Sequence, residues 1–138
     1  MTRINVGIYP RELCDQHLIA EYKELPRAFA LRFGEYRTDT PKNFCLGRGH
    51  VLWCGAHAVS LMHRFDALVA EMQARGFNPK FTEAPDLRNE WQWADWEEQR
   101  ARRILIPRIC SRLVSMSREP KWTNRVAPEW VLYALEER

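Results

Sequence analysis

The apolar positions near the start of the chain recur at helical spacing. Steps of four, three, four and four residues separate five large side chains: Leu18, Tyr22, Leu25, Phe29 and Phe33. This spacing is typical of an amphipathic helix that buries one stripe, and Pro10 and Asp15 mark its start. Pro26 lies inside the pattern and cannot donate a hydrogen bond to the carbonyl of Tyr22. We therefore expect a kink at Pro26.

Polar side chains occupy the remaining surface of this helix. At about 100° per residue, Gln16, Lys23 and Arg27 fall opposite the apolar stripe. His17 and Glu24 fall beside them, roughly a quarter-turn away. The pattern thus predicts a polar face that contains one carboxylate and two cations.

Two further helical regions follow. A second helix is predicted from about Ala56 to Arg75, with Gly76 as the residue that ends it. Its apolar stripe consists of Leu61, Phe65, Leu68, Val69 and Met72. A short helical turn from Pro41 to Cys45, capped by Thr40, is predicted in the connection between the first two helices.

The third helical region is predicted from about Trp93 to Ser117, with an interruption or restart at Pro107. The tail contains two Trp and two Pro and is expected to end in a short helix. The sequence contains no alternating strand pattern, no repeat and no linker. We therefore predict an all-α fold, with residues 1–138 forming one compact domain of three main helices.

Composition narrows the class of protein. The chain has 138 residues and 46% apolar residues, which excludes an intrinsically disordered protein. No run approaches the ~20 apolar residues of a membrane span, and the polar start has no apolar segment of the kind that signal peptides carry. We expect an intracellular, cytoplasmic protein with no membrane partner. Its four cysteines form no CxxC pair and are expected to be reduced.

Charge is distributed unevenly around a net value of +3. One basic stretch contains Arg100, Arg102, Arg103, Arg108, Arg112, Arg118, Lys121 and Arg125, against the single acid Glu119. It follows an acidic stretch that contains Asp86, Glu90, Asp95, Glu97 and Glu98. The basic stretch could lie along a polyanion, or it could pair with the acidic stretch on a solvated face.

Two clusters of side chains admit both a functional and a packing interpretation. Cys45, His50, Cys54 and His57 are possible metal ligands, but their spacing matches no standard zinc finger or ribbon. We favour packing and predict no metal site. Trp91, Trp93 and Trp96 could stack on nucleic-acid bases, although packing is expected for at least one of them.

Several short motifs resemble one known family. They are MTRIN, DQHLIAEYKELPR, LGRGHV and the RGF that follows the second helix. In order and spacing they are similar to the pyrimidine-dimer DNA glycosylase/AP lyases, the endonuclease V of T-even phages and its relatives. The resemblance is specific over residues 1–27 and 44–77 and weak after residue 78. It implies a compact helical domain with the N-terminal segment threaded between the helices.

The resemblance also implies roles for individual residues. The nucleophile is the α-amino group of Thr2, exposed when Met1 is removed, and the catalytic carboxylate is Glu24. Arg3, Lys23 and Arg27 match positions that hold DNA phosphates and the abasic backbone, and the DQH triplet, Asp15, Gln16 and His17, lines the same face. Enzymes of this family need no metal or other cofactor and act as monomers on damaged double-stranded DNA.

The implied chemistry agrees with elementary pKa values. An α-amine titrates near pH ~8, so a useful fraction is unprotonated near neutrality. The amine can attack the sugar C1′, expel the damaged base and leave an imine. A carboxylate such as Glu24 can then remove the C2′ proton and drive β-elimination.

The C-terminal part departs from the family pattern. Arg112 matches a phosphate-binding Arg of the third helix, Trp122 matches a Trp near the C-terminus, and Lys121 beside it is assigned to DNA binding. The Tyr cluster that accompanies this Trp in the phage enzyme is absent. The lesion could therefore be a UV pyrimidine dimer or another damaged or modified base. A non-catalytic DNA-binding relative is the remaining alternative.

Overall fold

The computed structural model describes residues 4–29, 41–46, 49–84 and 96–136. Within these ranges the chain forms helices and no strand, which confirms the all-α prediction. After a short 3-10 helix, Pro10–Glu12, the α-helices are α1 (Asp15–Phe29), α2 (His50–Ala56), α3 (Ala58–Ala74), α4 (Glu98–Val114) and α5 (Glu129–Glu136). No helix in the described part of the chain is long and apolar enough to cross a membrane.

The three main helices predicted from the sequence correspond to α1, α3 and α4. In α1 the stripe residues Leu18, Tyr22 and Leu25 are buried, and the helix continues past Pro26 to Phe29. Phe33 lies outside the described residues. All five predicted stripe residues of α3 are buried, and Gly76 has the positive φ of 91° expected after a helix end.

Three features differ from the prediction. The third helix, α4, is continuous through Pro107 and is neither interrupted nor restarted there. The second helix is divided, because His57 has non-helical angles (φ −123°, ψ 40°) between α2 and α3. The predicted turn at 41–45 is not helical. The backbone of this segment instead bonds to a core residue. The indole of the buried Trp53 donates to the carbonyl of Lys42 at 3.2 Å.

The N-terminal segment, residues 4–8, is part of the core. Ile4, Val6 and Ile8 are buried, and the polar groups of the segment bond to three different helices. Asn5 contacts Glu21 of α1, the carbonyl of Ile8 accepts from Arg64 of α3, and the carbonyl of Gly7 accepts from Arg102 of α4. Ordering the segment is therefore coupled to packing these helices together.

Gly7 permits the closest of these approaches. Its φ of +86° lies in the region that glycine occupies most readily. A Cβ at this position would lie 2.9 Å from the backbone oxygen of Glu98 and 3.1 Å from the Cβ of Ala101. The start of α4 can pack against the N-terminal segment because residue 7 has no side chain.

Replacing Gly7 by Ala should therefore destabilise the fold more than the same change at Gly76. Both residues have positive φ, but a Cβ at Gly76 would meet no atom within 4 Å. We expect Gly76→Ala to cost about 1 kcal/mol of unfolding free energy and Gly7→Ala at least about 2 kcal/mol more, because rigid backbone must move. Urea unfolding of both variants measures the difference, and equal losses would contradict the close packing at Gly7.

Candidate functional site

The outer surface of α1 carries the polar strip predicted from the sequence. Lys23 and Arg27 are exposed and Gln16 is half-buried. At about 100° per residue these three side chains fall within about 40° of one another on the helix. With a rise of 1.5 Å per residue, the strip extends over about 16 Å. We call Gln16, Lys23 and Arg27 the α1 strip.

One flank of the α1 strip carries the carboxylates. Glu24 and His17 are half-buried there, and Glu21 beside them is fully buried. The three positions fall within about 60° of one another around the helix axis. Glu21 accepts a two-pronged ion pair from Arg64, at 2.7 Å and 2.9 Å, and a 2.9 Å hydrogen bond from the Asn5 amide.

This flank is therefore the side of α1 to which the N-terminal segment is attached. Asn5 bonds to Glu21. Glu24 lies three residues after Glu21, and side chains three residues apart are neighbours on the surface of a helix. Helical periodicity alone predicts no role for Glu21, Asn5 and Arg64. A signal existed, because Glu21 lies on the buried side between Leu18 and Leu25, where a carboxylate requires a buried partner.

The opposite flank of the strip opens into an apolar cavity of about 770 Å³. Its walls come from α1, from α3 and from the loop after α3: Ile19, Tyr22, Lys23, Pro26, Phe65, Met72, Asn78, Pro79, Lys80, Phe81 and Glu83. The Tyr22 hydroxyl donates to the carbonyl of Phe81 and accepts from its N–H, both at 2.9 Å. The backbone of Phe81 is thus held in place while its ring remains 65% exposed, with Lys80 Nζ 5.5 Å from the ring centre.

At the start of α1, the C-terminal loop meets the strip. The Gln16 side chain donates to the carbonyl of Glu119 at 3.0 Å and accepts from the N–H of Lys121 at 3.2 Å. The Asp15 N–H donates to the carbonyl of Lys121 at 2.6 Å. Two residues assigned to DNA binding from distant parts of the sequence, Gln16 and Lys121, are thus neighbours, and Lys121 is exposed.

Trp122 has a structural contact of its own. Its indole donates to the carbonyl of Glu12 at 3.0 Å, and its ring packs on the core. The Glu12 carboxylate in turn accepts from Arg102 at 2.6 Å and from Trp130 at 2.8 Å. Burial alone would raise the pKa of Glu12, but these bonds outweigh it and lower the pKa below its ordinary value.

A second ion-pair network fixes the same loop to α1 and α3. Asp15 accepts from Arg75 at 2.8 Å and from the Thr123 hydroxyl, while Glu71 accepts from Arg75 and Arg125, each at 2.8 Å. Burial opposes the charge on Asp15, yet the bonds from Thr123 and Arg75 lower its pKa. The stability that this carboxylate contributes is therefore present above its ordinary pKa and is lost as the pH falls through the lowered value.

The basic stretch is partly used in ion pairs. Arg103 pairs with Glu97 of the acidic stretch at 3.5 Å, whereas Arg102 and Arg125 pair with Glu12 and Glu71. Asp86, Glu90 and Asp95 lie outside the described residues. Arg112 is half-buried in the last turn of α4, and its role in DNA binding stays a prediction.

The cysteines and histidines considered as metal ligands lie in and beside α2. His50 is 3.1 Å from the carbonyl of Cys45 and 3.8 Å from the sulfur of Cys54, while His57 stacks on Trp53. Burial lowers the pKa of His50 and raises that of Cys54 to about 12. In the ranges that the structure describes, no three His, Cys, Asp or Glu side chains are arranged to hold a metal ion.

Of the tryptophans considered for base stacking, Trp96 has a packing role. It donates to the Ser60 hydroxyl at 3.0 Å and meets Trp53 edge to face at 5.2 Å. Trp91 and Trp93 lie outside the described residues. The expectation that at least one member of this cluster packs in the fold is confirmed.

The chain was compared with models of known protein families. The family model described as pyrimidine dimer DNA glycosylase matches residues 1–84, which is 84 of the 138 residues. The chain belongs to the pyrimidine dimer DNA glycosylase family. The match covers α1, α2, α3 and the N-terminal segment, and with them the α1 strip and Glu24. It also covers Thr2 and Arg3, which lie outside the described residues, but not Arg112, Lys121 and Trp122.

Family membership identifies a DNA glycosylase whose substrate is DNA. Cleavage of a bond between base and sugar requires access to C1′ of a nucleotide within a duplex. The α1 strip presents the exposed cations of Lys23 and Arg27, with the Glu24 carboxylate on one flank and the apolar cavity on the other.

Proposed function

We propose that the protein is a DNA glycosylase with AP lyase activity, which acts on damaged double-stranded DNA through an imine formed on the α-amine of Thr2. The contact between Asn5 and Glu21 is the observation that carries the proposal. Thr2 is three residues before Asn5 in the sequence, so at most about 11 Å of chain separates their Cα atoms. With Met1 removed, this short connection to Asn5 would keep the α-amine of Thr2 close to the flank that carries Glu24.

The reaction we propose begins with removal of Met1, which makes the Thr2 amine available. The neutral amine attacks C1′ of the damaged nucleotide, the bond from C1′ to the base breaks, and loss of a proton and ring opening leave an imine. Glu24 stabilises the cationic sugar and then accepts the C2′ proton. Cleavage of the bond between C3′ and oxygen releases the 3′ phosphate, which completes β-elimination. Neither step requires a metal.

The α1 strip is proposed to hold the DNA backbone. Lys23 and Arg27 offer two cations about 6 Å apart along the helix axis, and phosphate contacts fix the register of a protein on its duplex. Arg3, His17, Arg112, Lys121 and Trp122 complete the proposed DNA-binding set. Lys23 acts as a point charge and lacks the fork of an arginine, so it fixes a phosphate less rigidly.

The apolar cavity on the other flank is proposed to receive a nucleotide flipped out of the duplex. Removing a base from the stack is costly, and stacking on an aromatic ring offsets part of that cost. Phe81 presents an exposed ring whose backbone is held by Tyr22, and Lys80 supplies a cation beside it. We propose UV pyrimidine dimers as the lesion and a monomer as the active form.

Replacing Glu24 by Gln should separate DNA binding from chemistry. We expect Glu24→Gln to bind a duplex that carries a pyrimidine dimer or an abasic site within about threefold of the unmodified protein, while strand cleavage falls by at least about 100-fold. Fluorescence anisotropy and single-turnover cleavage measure the two effects.

Asp66→Asn is the matched control for this experiment. It changes the net charge by the same amount at an exposed position on α3, and it should leave both binding and cleavage unchanged. Strand cleavage by Glu24→Gln at the unmodified rate would contradict the role assigned to Glu24.

Replacing Phe81 by Ala should weaken binding to lesion DNA. Loss of a stacking ring typically costs about 1–3 kcal/mol, so affinity for dimer-containing duplex should fall roughly 5- to 150-fold. Tyr133→Ala is the control, because Tyr133 is 69% exposed on α5 and is not part of the cavity wall. Equal affinity losses in the two variants would contradict a role for the cavity in holding a base.

A further inference from the structure

A group of buried polar side chains fixes the orientation of Asn5. Asn5 is only 2% exposed, and its Nδ2 donates to Glu21 Oε1 at 2.9 Å. An ionised carboxylate only accepts hydrogen bonds. The amide therefore cannot rotate by half a turn without placing oxygen against oxygen, and Oδ1 must face away from Glu21.

Asn5 Oδ1 is a buried acceptor that the described fold does not use. No residue in the part of the chain that the structure describes donates a hydrogen bond to this oxygen. Leaving a buried acceptor unmet is unfavourable, and a buried polar atom without a partner often has a role outside the packing of the fold.

The backbone around Asn5 is held as firmly as its side chain. The Ile8 N–H donates to the carbonyl of Asn5 at 3.1 Å, and the carbonyl of Ile8 accepts from Arg64. Arg64 and Asn5 meet on the same Glu21 carboxylate. Residues 5–8 are therefore fixed at both ends, and Oδ1 keeps one direction relative to α1.

We propose that Asn5 is a positioning residue whose Oδ1 accepts a hydrogen bond from the Thr2 α-amine. This inference rests on the proposed function, in which that amine is the nucleophile. Thr2 is three residues before Asn5, so its Cα lies at most about 11 Å from that of Asn5 and its amine is close enough to be the donor. A neutral amine can donate one N–H to Oδ1 and keep its lone pair directed at C1′, and the protonated imine that follows still has an N–H to donate.

Several charged groups around residues 4–8 are already paired with one another, so we expect the neutral acceptor Oδ1 to influence the pKa of the Thr2 amine. Glu21 of α1 is paired with Arg64 of α3, and Arg102 of α4 is paired with Glu12. Glu24 and His17 lie on the adjacent flank of α1, and Glu98 begins α4 beside Gly7. A hydrogen bond to Oδ1 stabilises the ammonium form more than the neutral amine. Removing Oδ1 should therefore lower the pKa of the amine.

Asn5→Leu tests the proposal with little change in volume. The two bonds from Arg64 to Glu21 do not involve Asn5, and we expect this variant to retain them. Borohydride trapping on an abasic duplex is measured in single turnover from pH 5 to 9, after intact mass has verified that Met1 is absent. We expect the trapping rate at pH 7 to fall roughly tenfold, the duplex Kd to stay within about twofold, and the half-maximal pH to move downward.

Glu71→Gln is the control for a purely structural role. It removes charge from another partly buried network, on Arg75 and Arg125, without touching Oδ1. Its unfolding temperature should fall while the pH profile of trapping stays in place. If Asn5→Leu does not fold, Asn5→Ala takes its place, and pH-dependent acetylation of the N-terminal amine in the free protein measures the amine pKa directly.

The outcomes distinguish this inference from the proposed function. Trapping by the original protein, combined with an unshifted pH profile in the Asn5 variant, would overturn the role of Asn5 alone. Loss of DNA binding in proportion to loss of trapping would also overturn it, because that pattern indicates a structural role. If the original protein forms no trapped complex at all, the proposed function fails and the inference fails with it.

Discussion

The buried ion pair between Glu21 and Arg64 joins α1 to α3, and both partners also bond to the N-terminal segment. A fully buried carboxylate is stable only when it is paired and its remaining lone pairs are satisfied. Arg64 supplies two hydrogen bonds to it, Asn5 supplies a third, and the guanidinium also reaches the carbonyl of Ile8. One charge pair thus joins α1, α3 and the N-terminal segment, and removing either partner would leave an isolated charge in the core.

The same arrangement relates the fold to the chemistry of a glycosylase. In the proposed reaction the amine nucleophile at the start of the chain must lie near the substrate, and burial of Ile4, Val6 and Ile8 fixes the segment that follows it. Gly7 lets α4 approach the segment closely, and the networks on Asp15 and Glu12 attach the C-terminal loop to the start of α1. The α1 strip consequently lies on a rigid scaffold between a carboxylate and a cavity.

Much of this architecture could be predicted from the sequence, for identifiable reasons. The stripes of α1 and α3 have strong helical periodicity, and exposure of Lys23 and Arg27 follows from the same geometry. The division at His57 could not be predicted, because no proline or glycine marks it. The roles of Glu21 and Arg64 depend on a contact between residues 43 positions apart. Helical periodicity gives no information about contacts at that separation. The sequence predicts DNA binding for Gln16 and Trp122. Their bonds to Glu119 and Glu12 also join residues far apart in the chain, so periodicity does not predict them either.

Identification of the residue that becomes attached to DNA decides whether the α-amine of Thr2 is the nucleophile. The protein is reduced with borohydride on an abasic duplex and digested, and the modified peptide is sequenced by mass spectrometry. We expect a single adduct on the α-amine of Thr2 in a chain that lacks Met1. An adduct on a lysine side chain such as Lys23, or a trapped chain that still carries Met1, would contradict it.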